Sequence, residues 1–358
     1  MKARLISRNS FDLVRLFAAM QVAFLHSVEF MSPHHITSFW FRILENFPGV
    51  PIFFFISGFL ISRSYENNNS IKEYGVNRAL RIFPALHICV LLNILLVAAT
   101  GYMTHVHVGY GDIFLLYLAK TTIFQFYNPD FMRGFGDGVL NGSLWTICVE
   151  LQFYILLPLL YKVMDGRTKK DANIILMCTI IIFLLFNRLL YHYQGDYANT
   201  IYWKLIRVSF FPWFYMFLVG VFFQRNFDFF WSISTRVSLI TLLIIYFGYA
   251  SLMRAAGLTV DNSIGPFLYF PLAFIVFRIS FSMLTEVAEL LNKNDVSYGI
   301  YIYHMPIANV FIYYGLINSM IYPLLVLLLS ILISLFSWFL IEKPCLRLKR
   351  HPLNPVGI

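Results

Sequence analysis

Apolar residues recur along this chain in unbroken blocks of roughly 18 to 22, close to the ~20 residues a helix needs to cross a bilayer. The blocks fall near 11–31, 47–62, 82–102, 143–162, 173–192, 204–224, 237–253, 263–282, 297–316 and 320–341. Period-2 alternation is absent and the apolar runs are continuous, which makes a transmembrane β-barrel a poor alternative. Only 13% of the 358 residues are charged and 59% are hydrophobic. A soluble domain of this length carries about twice that charge. The expected fold class is therefore an all-α membrane protein with about ten transmembrane helices.

A shorter block, 113–127, ends before Asn128-Pro129-Asp130. With the N-terminus inside and ten spans threaded, 18 of the 27 Lys and Arg residues fall in inside segments and five in outside loops, with Arg15, Arg188, Arg207 and Arg278 inside spans. This follows the positive-inside rule. Counting 113–127 as an eleventh span moves the Lys162–Lys170 cluster outside, so the block is read as a re-entrant or interfacial segment. Both termini are expected in the cytoplasm. Residues 1–342 form the expected transmembrane domain and 343–358 a short basic tail. Lys2, Arg4 and Arg8 before the first block resemble a signal sequence. That block holds Arg15 and His26 and runs too long for a signal core, so it is read as a retained helix.

The net charge of +9 fits orientation and an anionic partner at the cytoplasmic face, not nucleic acid, because the aromatic residues lie inside apolar spans. Cys89, Cys148, Cys178 and Cys345 show no metal-ligand spacing. They are read as small buried hydrophobes, and no metal is expected. His34, His35, His105 and His107 are read as surface residues of outer loops. No inverted repeat relates two halves of the chain, which weighs against a secondary transporter without excluding one.

Ionisable groups inside a bilayer are costly and need a reason. Arg188, Arg207 and Arg278 lie near span ends, where they can snorkel. The first helix differs. Arg15 and His26 are eleven residues apart, so at about 100° per residue they share one stripe, roughly 16 Å apart along the axis. Glu150, in the span that opens Asn141-Gly142-Ser143-Leu144-Trp145, lies roughly 10 Å below its outer end, a depth similar to that of His26. A carboxylate near an imidazole orients the ring and stabilises its charged form; an ion pair that only joins helices is the plainer reading. Ser297 and His304, seven apart, share a face that lines either an inner cavity or a polar packing seam. Arg78 and Arg81, three apart, share a face and can fork onto phosphates; on the residues alone, topology or lipid headgroups is the better explanation.

Together these residues resemble the acyltransferase-3 family of membrane acyltransferases. The resemblance rests on Arg15 and His26 in the first helix, the segment Phe53–Leu60, Arg78, Arg81 and Pro84, Ser143, Leu144, Trp145 and Glu150, Ser297, Tyr298, His304 and Pro306, and the ending Glu342-Lys343-Pro344. Leu16 stands where many members have glycine, and the chain resembles the stand-alone form, without a fused extracytoplasmic domain. The resemblance implies transfer of an acetyl group from cytoplasmic acetyl-CoA to a hydroxyl of an envelope carbohydrate or glycolipid, in a bacterial inner membrane. His26 is then the expected general base, oriented by Glu150. Arg78 and Arg81 hold coenzyme A phosphates, and Arg15 lines the channel or holds a phosphate. Trp145, Ser143, Tyr298 and His304 are candidates for the acceptor site. No serine or cysteine carries an activation motif, which favours direct transfer over an acyl-enzyme. The rival reading is a transporter or flippase for an anionic or sugar-containing substrate.

Overall fold

The computed structural model describes residues 9–348 except 37, 68–69, 198–199, 259–261, 263, 283–290 and 292–293. The basic residues Lys2, Arg4, Arg8 and Lys293, and the tail beyond Leu348, lie outside the described residues. All regular structure among the described residues is helical. Six helices are long and apolar enough to cross a membrane: Phe11–Met31, Phe39–Glu66, Ile71–Ala99, Gly142–Met164, Lys169–His192 and Ile321–Arg347. This is a multi-pass membrane protein. The other four expected blocks hold helices Phe214–Arg225, Leu239–Ala255, Pro266–Ser282 and Ser297–Tyr313, of 12, 17, 17 and 17 residues. By length and composition the described residues hold six spans, or seven if the bent pair Phe227–Ser234 and Leu239–Ala255 is one span, where the sequence led us to expect ten.

The helices used below are α1 (Phe11–Met31), α2 (Phe39–Glu45), α3 (Gly49–Glu66), α4 (Ile71–Ala99), α5 (Tyr110–Thr121), α6 (Trp145–Met164), α7 (Lys169–His192), α8 (Phe214–Arg225), α9 (Phe227–Ser234), α10 (Leu239–Ala255), α11 (Pro266–Ser282), α12 (Ser297–Tyr313) and α13 (Ile321–Ser337). Their starts follow local chemistry. Ser70 Oγ accepts from Glu73 N at 3.3 Å and Thr168 Oγ1 from Asp171 N at 3.2 Å, satisfying donors that the first turn leaves open. α9 and α10 are bent by 90° at their junction. α5, with 12 residues, is about 18 Å long and too short to cross.

The chain divides into two compact units. One comprises Met1–Ala18, Ile43–Asn67 and Val149–Lys293; the other comprises Ala19–Arg42, Asn68–Cys148 and Asn294–Ile358. The first unit is built on α3 against α8. A Cβ on Gly58 would sit 1.9 Å from the Phe217 carbonyl oxygen, and one on Gly220 would sit 2.1 Å from that of Phe55. Two glycines thus let the backbones touch, as small residues do in membrane helix pairs. Phe11, Phe59, Phe277 and Phe281 pack their rings alongside. In the second unit α12 packs on α13 through small residues. Ser330, Ser334 and Ser337 form its buried stripe, with Gly299 against Ser334.

Of the cysteines, Cys89 and Cys148 are buried as expected, while Cys178 is exposed. Cys178 lies on the apolar side of α7, where surrounding lipid, not protein, would cover it. His34, His35, His105 and His107 are exposed, as expected of surface residues.

Candidate active site

The site in the second unit begins with a proline. Pro306 sits inside α12 and has no N–H, so the carbonyl of Ile302 loses its helical donor. Asn141 Nδ2 donates to that oxygen at 2.9 Å and Cys89 Sγ at 3.3 Å. Asn141 Oδ1 in turn accepts from Ser143 N at 3.2 Å, capping the turn that leads into α6. Ser143 Oγ lies 2.7 Å from Asn141 Oδ1 and 3.2 Å from the Tyr301 carbonyl oxygen, two acceptors for one proton. Tyr301 Oη shares a 2.7 Å hydrogen bond with Thr146 Oγ1. The Asn141–Ser143 segment is thereby fastened to the turn of α12 that carries His304.

His304 is fully buried, whereas His26 is only partly so. His26 Nδ1 lies 3.2 Å from His304 Nε2, and the ring centroids are 5.4 Å apart. Among the described residues this is the one hydrogen bond of the His26 ring, so its Nε2 is left open. Phe30 and Tyr301 flank the two rings edge-on.

At the start of α12 a second cluster gathers around Arg81. Its Nη2 donates to Asp295, and its Nη1 lies 4.0 Å from Glu342 Oε2. The Tyr298 and Trp338 rings lie 5.9 Å from the guanidinium carbon. The Arg81 side chain is 12% exposed. Asp295 also accepts from the Ser297 hydroxyl, Tyr298 Oη donates to the Ile82 carbonyl at 3.1 Å, and Ser337 Oγ donates to Glu342 Oε1 at 3.2 Å. Arg78, one turn earlier on α4, is half-buried.

Glu150 belongs to the first unit. Its Oε1 accepts from Ser57 Oγ and from Tyr154 Oη, each at 2.6 Å. Arg15 is half-buried on α1, and Trp145 is half-buried at the start of α6.

Sequence reasoning therefore found the members of each cluster but missed their partners. It did not foresee that His26 meets the His304 ring. It missed Ser57 and Tyr154 beside Glu150, and Asp295 and Glu342 beside Arg81. A serine inside the apolar run Phe53–Leu60 was the available signal for the first pair. An acid two residues before Ser297, and another at the end of the last span, were the signals for the second.

The family model described as "Acyltransferase domain" matches residues 8–342. The chain belongs to the acyltransferase-3 family. It is an acyltransferase, and the transporter reading is set aside. Nodulation protein 10 of Rhizobium leguminosarum bv. viciae is 30% identical over 96% of this acyltransferase and 94% of the relative. The O-acetyl transferase of Shigella phage Sf6 is 27% identical over 94% and 95%. O-acetyltransferase OatA of Staphylococcus aureus strain NCTC 8325 / PS 47 is 25% identical, over 87% of this chain and 54% of that protein. No solved structure matches.

Proposed function

We propose that this acyltransferase moves an acetyl group from cytoplasmic acetyl-CoA to a hydroxyl of an envelope carbohydrate or glycolipid, such as lipopolysaccharide O-antigen or an exopolysaccharide, in a bacterial inner membrane. The observation that carries the reading is the His26 ring, anchored at Nδ1 by a buried histidine and open at Nε2. That is how a general base is presented to a hydroxyl. The relatives named O-acetyl transferase support acetyl as the group and oxygen as its acceptor.

In the proposed step His26 Nε2 takes the proton of the acceptor hydroxyl as its oxygen attacks the thioester carbonyl carbon. The carbon–sulfur bond breaks, an ester forms, and the coenzyme A thiolate leaves. The thiolate collects the proton from His26, so the ring returns neutral and free thiol is released. Transfer is direct, within a ternary complex, and holding both reactants together supplies the proximity contribution. Arg78 contacts the coenzyme A phosphates. Sequence reasoning gave that task to Arg81 as well. With its guanidinium held by Asp295 and Glu342, Arg81 is better assigned to fixing this end of α4 so that Arg78 is presented. Arg15 lines the path of the pantetheine arm, and Trp145 contacts the acceptor; Tyr298, expected there too, is engaged with Arg81 and the Ile82 carbonyl and is better assigned to the coenzyme A end of the site. Ser143, engaged by Asn141 and Tyr301, shapes the site more than it binds a sugar. Glu150 is held in one orientation within α6 by the Ser57 and Tyr154 hydroxyls.

The test is product formation by purified protein given acetyl-CoA and envelope glycan from the producing cell. Wild type is expected to release free thiol and to add the acetyl mass increment to one glycan. His26→Ala is expected to insert normally and form no product. Near-normal product from that variant, by mass spectrometry, would sink the assignment.

A further inference from the structure

The pair of imidazoles leaves one question of chemistry open, namely where the shared proton sits. Two neutral rings joined through His26 Nδ1 and His304 Nε2 hold one proton between those atoms. If it belongs to His26, then His26 Nε2 carries a lone pair and is a base. If it belongs to His304, then His26 Nε2 carries a hydrogen and cannot accept the acceptor's proton.

We infer that His304 is a positioning residue that sets His26 in its Nδ1–H tautomer, the one that makes Nε2 basic; this rests on the reading of His26 as general base. The argument starts from the other nitrogen of His304. Nδ1 of His304 is buried with no hydrogen-bond partner among the described residues, and a helical side chain leans back over the preceding turn, where the polar groups it meets are the carbonyls of Ile300 and Tyr301. A carbonyl oxygen only accepts. A lone pair on Nδ1 would face oxygen lone pairs in a buried site, which is repulsive, whereas an N–H there is attracted. The proton of neutral His304 therefore rests on Nδ1, and its Nε2 is an acceptor. His26 Nδ1 must then donate to it, which leaves the lone pair on His26 Nε2. That nitrogen has no hydrogen-bond partner among the described residues.

Burial assigns the same roles. His26, the partly exposed ring, is the one a hydroxyl can reach. His304, 0% exposed, stands behind it, where a buried carboxylate stands in a hydrolase triad. Its support is a neutral acceptor where the triad has a charge. When His26 takes the acceptor's proton, its Nδ1–H stays bonded to His304 Nε2, and His304 itself neither gains nor loses a proton. The fixed position of His304 follows from Asn141, which secures the Ile302 carbonyl on the same turn of α12.

Two measurements test this. The first uses wild type with 15N-histidine labelling in proteoliposomes and solid-state NMR. His26 is expected to show a protonated Nδ1 and an unprotonated Nε2 at neutral pH. The opposite tautomer overturns the inference whatever the variants do.

The second compares His304→Leu with His304→Gln. Leucine removes the acceptor, while the glutamine carbonyl oxygen can stand near the place of Nε2. For His304→Leu we expect kcat to fall about 100-fold, the size of a general-base contribution, with KM for acetyl-CoA changed less than about threefold. His304→Gln is expected to recover most of that loss. If His26→Ala is inactive but His304→Leu keeps wild-type kcat, this inference fails while the general base stands. If His26→Ala is active, the base assignment itself fails.

Discussion

Arg81 and Asp295 form a buried ion pair that joins α4 to the residue pair preceding α12. Glu342 stands on the other side of the same guanidinium, and two aromatic faces flank it. Removing one member of a buried pair leaves the other charge uncompensated, at a cost of about 3 kcal/mol or more. Arg81→Ala is thus expected to lower the thermal midpoint in detergent by several degrees. Arg78→Ala is expected to weaken acetyl-CoA about tenfold by calorimetry, the scale of one charge-assisted contact. Unchanged affinity at Arg78→Ala, with affinity lost and the midpoint kept at Arg81→Ala, would reverse the two roles.

Asn141 is coupled to a residue it does not touch. Its Nδ2 serves the Ile302 carbonyl that Pro306 leaves open, and its Oδ1 caps the turn before α6. Asn141→Ala is expected to cost about 2 kcal/mol, a cap together with a buried carbonyl left short of a donor. Pro306→Ala restores an N–H that can reach Ile302. In that background the cost of Asn141→Ala is expected to shrink by about 1 kcal/mol. Strict additivity in the double-mutant cycle would show that the proline and the asparagine act separately.

The helices and their boundaries were legible because a bilayer imposes a length, and caps such as Ser70 and Thr168 announce themselves locally. The span count was less so. Periodic hydrophobicity marks Leu239–Ala255 as a helix but does not report that it turns by 90° from Phe227–Ser234. At the site, sequence spacing placed His26 and Arg15 on one helix. It could not report that His304, 278 residues further on, closes on His26. Nor could it show that Glu150 is held by Ser57 and Tyr154. Depth in the membrane narrows the partners of a polar group to one layer. Rotation about each helix axis, which decides among them, is set by packing at Gly58, Gly220 and Gly299, and that packing is visible only in the fold.

Gly58 and Gly220 give that packing a direct test. An added methyl at either would overlap a carbonyl oxygen of the facing helix, 1.9 Å away at Gly58 and 2.1 Å at Gly220. Backbone cannot yield as a side chain does, so Gly58→Ala is expected to cost about 3 kcal/mol, at the upper end for overpacking. Gly248, inside α10, has nothing within 4 Å of an added Cβ. Gly248→Ala should raise stability by up to about 1 kcal/mol through helix propensity alone. Fluorescence size-exclusion profiles after heating separate the two. Equal behaviour would mean that α3 and α8 do not meet at these glycines.

Asp137 and Lys120 should make stability depend on pH through the connection between α5 and α6. Burial pushes the Asp137 carboxyl up to about 6, against the opposing pull of the Val139 N–H, Asn309 and Lys120. Burial brings Lys120 down to about 8, with Asp137 opposing; Lys120 Nζ donates to the Gln125 carbonyl at 2.7 Å. For Asp137 the folded state holds its proton more tightly than the unfolded chain does. Its contribution is fully present below its ordinary value near 3.8 and is lost as pH rises through about 6. For Lys120 the folded state holds its proton less tightly, so stability is regained as pH rises from about 8 toward its ordinary 10.5. Together they produce a shallow minimum between about pH 6 and 8. Asp137→Asn should abolish the slope on the acid side and raise stability at pH 7 by about 2 kcal/mol. Thermal midpoints of the two proteins, measured from pH 4 to 8 in detergent, should lie together near pH 4, draw apart as pH rises to about 6, and stay apart above it. Parallel curves would mean that Asp137 is solvated as an ordinary surface carboxylate and that its burial beside Lys120 does not occur.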